Sequence, residues 1–176
     1  MRARALSFAL ALCLPGMALA GSEPEGFRGP PYRAPVPDTV LGTPGLSLDE
    51  AQALHAGGVA FVDVLPATTR PDGLPEGTIW RSPPHDTIPG AHWVPGIGYE
   101  ALAPETERWM AAVLDRISGG DRSAPMVFFC KSDCWMSWNA TRRARLMGYD
   151  GARWFPEGSE GWPGPLVAAE PEPGAP

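Results

Sequence analysis

Cys130 and Cys134 are the residues of this sequence whose type and spacing indicate chemistry. A cysteine acts as a nucleophile or a metal ligand through its thiolate. The apolar run 126–129 is typical of a buried strand, and the residues after Cys134 have helical spacing as far as Gly148. We therefore expect Cys130 where a strand meets a helix. Free backbone N–H groups and the helix dipole at such a junction should lower the pKa of its thiol.

The two cysteines are four residues apart, so a loop that turns helically would bring both sulfurs to the same side, within disulfide range. Cys134 would then resolve a persulfide or sulfenic acid on Cys130, or form a redox disulfide with it. Two alternatives stay open: both are buried structural residues, or they bind copper or zinc with Met136 as a soft ligand. Zinc usually takes four protein ligands, and His85 and His92 are not spaced to complete a set. We predict no metal site and no cofactor.

The residues around the pair are the other site candidates. They are Lys131, Ser132, Asp133, Trp135 and Met136, as loop and anion-binding residues, with Asp63 as a supporting residue. Lys131 would stabilise a cysteine thiolate, whereas Asp133 would raise the pKa of a neighbouring thiol. Trp135 and Trp138 either line the pocket and keep water from the sulfur, or are ordinary packing residues. Asp63, at the end of a predicted strand, either orients the loop or caps the strand. His85 and His92 are interpreted as turn or surface residues rather than proton shuttles.

The first residues have the pattern of an export signal. Arg2 and Arg4 precede an apolar stretch at 5–14 and a small-x-small motif at 18–20, which predicts a signal peptide over residues 1–20 and a periplasmic protein. Cleavage would remove Cys13 and leave the cysteine pair in an oxidising compartment. Without Arg2 and Arg4, 12 basic and 20 acidic residues give a net charge of −8. This charge disfavours nucleic acid and anionic membranes as partners, and no later stretch is long enough for a membrane span.

The rest of the chain is divided by composition. Residues 21–45 are rich in proline and glycine and predict a lead-in that is either extended over the domain or disordered. Residues 46–163 predict one domain, in which Ser47 and Glu50 form a capping box and helical spacing recurs at 106–117. Residues 164–176 have little apolar content and predict a disordered tail. Helices alternate with short apolar strands, which favours an α/β fold with a mainly parallel central sheet flanked by helices.

Over residues 46–162 the chain resembles a single-domain rhodanese. Four features come in that family's order: a strand that ends in aspartate at 62–64, an Ile-Pro-Gly-Ala turn and strand at 88–94, a strand–cysteine–helix unit at 129–149, and a glycine loop that leads to tryptophan at 158–162. The resemblance implies a rhodanese-like domain in which Cys130 carries sulfur. Three positions depart from the family pattern. Asp133 stands where the family has a glycine three residues after the cysteine, Trp135 or Met136 stands where the loop often has an arginine, and Leu65 replaces the arginine that often follows the strand aspartate. The spacing to residues 148–149 also indicates a loop one residue longer than the usual one.

The run from Cys130 through Cys134-Trp135-Met136 to Ala140, with residues 154–158 and 161–162, is similar to a narrower group. These are the PQQ-dependent catabolism-associated CXXCW motif proteins. The resemblance implies a periplasmic sulfurtransferase, or persulfide or disulfide chemistry at Cys130, with a small sulfur compound or thiol protein as partner. It also implies an association with a periplasmic quinoprotein dehydrogenase system that oxidises alcohols. The missing loop glycine and arginines, together with the proline-rich lead-in, motivate an alternative, a catalytically inactive rhodanese fold that serves as a binding or assembly module.

Overall fold

The structure is a computed structural model that describes residues 22–175. The signal peptide predicted over residues 1–20 lies outside the described residues and stays a prediction. None of the helices within residues 22–175 is long and apolar enough to cross a bilayer.

The centre of the fold is a four-stranded sheet in which all neighbouring strands are parallel. Its strands, in spatial order, are β5 (His92–Trp93), β3 (Ala60–Asp63), β6 (Met126–Phe129) and β7 (Ala152–Trp154). In the pairing register Asp63 lies opposite both Trp93 and Phe129. The ends of three strands therefore meet at one edge, which is where parallel sheets place ligands.

Within residues 22–175, four helices complete the architecture. They are α1 (Leu48–Ala56), α2 (Pro104–Ile117), α3 (Trp135–Leu146) and the single turn α4 (Gly158–Gly161). The predicted capping box is present, because the Ser47 hydroxyl accepts from the Glu50 N–H and the Glu50 carboxylate accepts from the Ser47 N–H. This reciprocal pairing satisfies N–H groups that the first helical turn leaves free.

The strands are buried on both faces. Val62 and Phe128 face α2 and α3, where the largest apolar cluster forms, whereas Phe61, Val127 and Phe129 belong to a second cluster with α1. Alternate strand residues point to opposite faces, so helices on both sides are needed to cover them. The predicted α/β fold with a parallel central sheet flanked by helices is confirmed.

Residues 22–45, which we call the strap, lie on the domain. They include an antiparallel hairpin of β1 (Thr39–Val40) and β2 (Thr43–Pro44). The strap is attached to α3 by side-chain hydrogen bonds. Asn139 accepts from the Arg28 N–H and donates to the Arg28 carbonyl, and the Trp138 indole donates to the Thr39 carbonyl.

The C-terminal segment differs from the disordered tail predicted for residues 164–176, and over residues 164–175 that prediction is wrong. β8 (Val167–Ala169) pairs antiparallel with β4 (His85–Thr87), outside the central sheet. Farther on, the Glu172 carboxylate contacts His92 at 2.6 Å and Arg116 at 2.5 Å. Low apolar content does not indicate disorder in this segment, because strand pairing with β4 and ion pairs with His92 and Arg116 attach it to the domain.

Candidate functional site

The thiol loop, residues 130–134, lies at the edge where the strands of the central sheet end. β6 ends at Phe129, Cys130 follows at once, and α3 begins one residue after Cys134. The Val64 N–H donates to the Phe129 carbonyl, which keeps the neighbouring strand β3 paired up to this point. The strand–cysteine–helix junction expected from the sequence is therefore present.

The structure brings the two cysteines together. Their Sγ atoms lie 2.6 Å apart, and the residues are 1 % and 3 % exposed. A disulfide bond measures about 2.05 Å, so a small movement of either side chain allows the bond to form. The loop therefore holds a dithiol pair that is arranged for disulfide chemistry and shielded from solvent.

The negative charge of the ionised pair settles on Cys134. The hydrogen bond with Cys130 lowers the pKa of Cys134 to about 6, and the backbone N–H groups of Met136, Lys131 and Ser137 lower it further against the effect of burial. The same hydrogen bond, together with burial and the charge of Cys134, raises the pKa of Cys130. The lowered pKa expected for Cys130 is therefore wrong. Cys134 stands at the N-terminus of α3, where the helix dipole favours an anion.

The other residues of the loop have different surroundings. The Ser132 hydroxyl donates to the Glu160 carboxylate at 2.6 Å, and Lys131 lines an open cleft. Asp133 is exposed and has a φ of 48°. This left-handed conformation is one that glycine adopts freely and aspartate tolerates. Asp133 thus takes the backbone conformation typical of a glycine at a position where the resembled family has one.

Trp135 and Met136 begin α3 and are buried. The Trp135 ring meets the Trp138 ring edge-on at a centroid distance of 5.3 Å, and the Arg28 guanidinium of the strap lies over it at 5.7 Å. The Met136 backbone lies so close to Gly98 that a Cβ at Gly98 would overlap it. These contacts are packing contacts, so of the two roles considered for Trp135 the structure supports packing.

The strap closes one flank of the thiol loop. The backbone N–H of Trp135 donates to the Tyr32 carbonyl at 2.8 Å, and the backbone N–H of Ala34 donates to the Asp133 carbonyl at 3.0 Å. Between them, the Arg33 guanidinium binds Glu160 through two contacts of 3.2 and 3.3 Å. This backbone pairing directly beside Cys134 accounts for part of the burial of the sulfur.

The first residues of α4 contact the thiol loop at Cys130. The Ser159 N–H donates to the Cys130 carbonyl at 2.8 Å. Gly158 has a φ of 58°, and a Cβ on it would lie 2.5 Å from the Cys130 carbonyl oxygen. Only glycine fits this close approach, which explains the glycine loop seen in the sequence after β7.

Asp63 is buried and fully engaged at the end of β3. Its Oδ1 accepts from the Leu65 N–H at 2.9 Å, and its Oδ2 contacts His85 Nε2 at 2.8 Å and the Thr87 hydroxyl at 2.6 Å. It does not contact the loop amides, although its charge acts on Cys130 and helps to raise the pKa of that thiol. Asp63 therefore organises β4 rather than the thiol loop.

His85 is the site residue that the sequence interpretation missed. It lies on β4, and its side chain is 10 % exposed, so the turn or surface role expected for it is wrong. The available signal was the His85-x-Thr87 spacing, which places both side chains on one face of a strand. His92 instead contacts Glu172 of the C-terminal segment.

A cleft of about 380 Å³ opens on the other flank of the thiol loop. Its polar wall consists of His85, Asp86, Trp93, Lys131, Ser159 and Glu160, and its apolar wall comes from Leu166 and the proline-rich loop after β3. Lys131 directly follows Cys130, and the Ser159 N–H binds the Cys130 carbonyl. The cleft therefore adjoins the thiol loop at Lys131, and none of the strap residues 22–45 lines it.

Within residues 22–175 no cluster of three or more histidine, cysteine or acidic side chains is arranged to hold a metal ion. The metal-binding alternative for the cysteine pair would need ligands beyond Cys130 and Cys134.

Comparisons with known proteins find similarity among solved structures. No family model matches the chain, and no curated protein matches it. Among solved structures, the chain is similar to the human single-domain sulfurtransferase TSTD1, at 26% sequence identity and a TM-score of 0.41. The similarity covers 68% of this chain and 94% of that one.

Proposed function

We propose that this protein is a rhodanese-like dithiol protein that accepts sulfur from, or exchanges disulfides with, a small sulfur compound or a thiol protein. The observation that carries the proposal is the 2.6 Å separation of the Cys130 and Cys134 sulfur atoms. Two thiols this close act as one redox unit, because a covalent adduct formed on either sulfur is within reach of the other.

The lowered pKa of Cys134 makes its thiolate the attacking group in this proposal. The thiolate attacks one sulfur of a donor R–S–S–R′, the donor S–S bond breaks, and R′–S⁻ leaves as a Cys134 mixed disulfide forms. Cys130 then loses its proton to the medium and attacks the Cys134 sulfur. This second step expels R–S⁻ and closes a Cys130–Cys134 disulfide, so the donor gains the two electrons that the pair loses.

The same steps describe sulfur transfer. Attack of Cys134 on the outer sulfur of a persulfide R–S–SH releases R–S⁻ and forms a Cys134 persulfide. Attack by Cys130 on the Cys134 sulfur then expels hydrogen sulfide and closes the disulfide. A stable persulfide thus requires that Cys130 stay protonated, and its raised pKa favours this.

Intact mass of the protein purified from its native compartment tests the proposal, with and without reductant. A species about 32 Da heavier than the reduced chain means a persulfide, and one about 2 Da lighter means an internal disulfide. Cys130→Ser and Cys134→Ser show which sulfur carries an adduct after brief exposure to a persulfide. We expect the adduct in Cys130→Ser, and an adduct confined to Cys134→Ser would reverse the assigned roles.

The second candidate function is a binding or assembly module without catalysis. The observation that favours it is the burial of both cysteines, at 1 % and 3 % exposure. Iodoacetamide separates the two functions, because a dithiol enzyme should be alkylated in its folded state. Thiols that react only after denaturation would support the binding module.

We also propose that the protein is exported to the periplasm and that it is associated with PQQ-dependent alcohol oxidation. The pattern of residues 1–20 supports export, and the resemblance of the Cys130–Ala140 stretch supports the association. Cell fractionation tests the location. Quinoprotein alcohol dehydrogenase activity in a deletion strain, complemented with the wild-type chain or with Cys134→Ser, tests the association. Equal dehydrogenase activity in deleted and wild-type cells would contradict it.

A further inference from the structure

The pair formed by His85 and Asp63 is a buried polar unit that the dithiol steps do not use. His85 Nε2 lies 2.8 Å from Asp63 Oδ2. The Asp63 carboxylate also accepts from the Thr87 hydroxyl and from the Leu65 N–H. An ionised carboxylate only accepts hydrogen bonds, so His85 Nε2 must be the donor. The tautomer is thereby set, and Nδ1 is the nitrogen left to exchange a proton.

The orientation of His85 is held from a second side. Its ring stacks on the Trp93 ring at a centroid distance of 4.2 Å and an interplanar angle of 28°. The Trp93 indole is itself anchored, because its N–H donates to the Leu65 carbonyl at 2.7 Å. A ring with one nitrogen bonded and one face stacked is pre-organised, which is what proton transfer in a site requires.

His85 lines the cleft, and no hydrogen bond described within residues 22–175 uses its Nδ1. Lys131 lines the same cleft and directly follows Cys130. The strands also bring Asp63, Trp93 and the residue before Cys130 into register. A small molecule in the cleft would therefore contact both His85 and Lys131, the residue that follows Cys130.

We propose that His85, positioned by Asp63, is the proton donor to the leaving sulfur of a small alkyl disulfide or persulfide bound in the cleft. This inference rests on the proposed dithiol function. As the Cys134 thiolate attacks, the donor S–S bond breaks and the leaving alkyl thiolate takes the proton from Nδ1 of the His85 imidazolium. The products are the cysteine mixed disulfide, a neutral alkyl thiol and neutral His85, which regains its proton from solvent.

Alkyl thiolates are basic leaving groups, so a donor that protonates them speeds their departure. Aromatic thiolates, by contrast, leave readily without a proton. The pH dependence of the step is set by the charges that face His85 from each neighbouring element. These are Asp63 of β3, Asp86 of β4, Lys131 of the thiol loop and Glu160 of α4. Glu160 is already bound by Ser132 and Arg33.

The test compares two disulfides of different leaving-group basicity on the full mature chain. Bis(hydroxyethyl) disulfide has an alkyl leaving group, and dithiodipyridine has an aromatic one. The rate of thiol loss is followed by intact mass near pH 6.5. In His85→Gln we expect the ratio of the alkyl to the aromatic rate to fall by about tenfold or more, because general acid catalysis contributes about a hundredfold or more in enzymes. His92→Gln is the matched control, and its ratio should stay within about twofold of wild type.

An unchanged ratio in His85→Gln overturns the inference, since a merely structural role would slow both reagents alike. Asp63→Asn is the second variant, and it should lower the ratio in the same direction because the aspartate orients His85. Circular dichroism shows that each variant is folded. If the wild-type chain reacts with neither disulfide, the proposed dithiol function fails. If it reacts with both and His85→Gln behaves like His92→Gln, only the role of His85 fails.

Discussion

On one flank of the thiol loop the strap pairs its backbone with residues 133–135, whereas on the other flank a cleft of about 380 Å³ stays open. The closed flank is held by two backbone hydrogen bonds and the Arg33–Glu160 pair. The open flank has the His85 imidazole and the Lys131 side chain at its wall. Both flanks adjoin the thiol loop, the strap at Asp133 and the cleft at Lys131.

This difference separates two tasks that a buried dithiol needs. The strap covers the thiol loop on both sides of Cys134, while the cleft provides a polar approach to the same loop at Lys131. α4 serves both flanks, since Glu160 binds Arg33 of the strap and also lines the cleft. The following variants test this difference between the closed and the open flank.

Gly158→Ala should have the largest effect, because Gly158 holds α4 against the thiol loop between the two flanks. A Cβ there would lie 2.5 Å from the Cys130 carbonyl oxygen, and φ is 58°. Left-handed strain and overpacking together should lower the free energy of unfolding by about 2–5 kcal/mol. Urea denaturation measures the change. Gly164→Ala, which has ordinary van der Waals room, should stay within about 0.5 kcal/mol. Equal losses in both would contradict the close approach.

Cys130→Ala should have the next largest effect, on the reactivity of Cys134. Thiolate forms as pH rises through the pKa, so wild-type alkylation by iodoacetamide should rise with a midpoint near pH 6, set by the Cys134 pKa of about 6. Loss of the Cys130 hydrogen bond moves the Cys134 pKa up towards the ordinary value of about 8.5, and a complete return to that value would slow alkylation at pH 7 by about thirtyfold. Cys130→Ser keeps a donor and should slow it far less. An unmoved midpoint in Cys130→Ala would show that the backbone N–H groups alone set the charge.

Breaking the ion pair of the strap should have a smaller effect. Arg33 and Glu160 are 54% and 42% exposed, and exposed pairs contribute about 0.2–1 kcal/mol. Arg33→Gln and Glu160→Gln should therefore each speed alkylation of the folded protein by at most about fivefold. The two changes alter the local charge in opposite directions, so acceleration in both identifies opening of the strap. Opposite effects would instead indicate simple electrostatics at the thiolate. Arg108→Gln, at an exposed position on α2, is the control.

Asp133→Gly should have the smallest effect and should stabilise the protein. Asp133 has a φ of 48°, so glycine removes left-handed strain, and the greater freedom of glycine in the unfolded chain offsets part of the gain. We expect a net stabilisation of at most about 1 kcal/mol in thermal unfolding. Asp133→Ala keeps the strain, lacks the tolerance of aspartate and should destabilise. The opposite order of the two variants would contradict the assignment of strain to this residue.

The sequence predictions that agree with the structure concern features set by residues close together in the chain. The capping box of Ser47 and Glu50, the buried strand before Cys130 and the helix after Cys134 depend on residues within a few positions of one another. Helix capping and hydrophobic periodicity act over that range. The α/β class follows from the order of such elements.

Two errors had non-local causes. The sequence favours a surface role for His85, and it gives no sign of the partner Asp63, which is 22 positions away and is brought near only by the fold. The polar composition of the C-terminal segment predicts disorder, yet β8 pairs with a strand about 80 residues earlier. The apolar content of a segment indicates how much apolar surface it can bury. It does not show whether another strand, here β4, has an unpaired edge to which the segment can hydrogen-bond.

By itself, the sequence determined the class of fold, the strand–cysteine–helix junction and the spacing that lets Cys130 and Cys134 meet. Only the tertiary structure decided which thiol carries the charge, which flank of the pair is closed and which histidine faces the cleft. The physical reason is that the pKa of a thiol depends on the N–H groups, burial and charges that surround it. In this protein the strap, β3, β4 and α4 bring those surroundings together from distant parts of the chain.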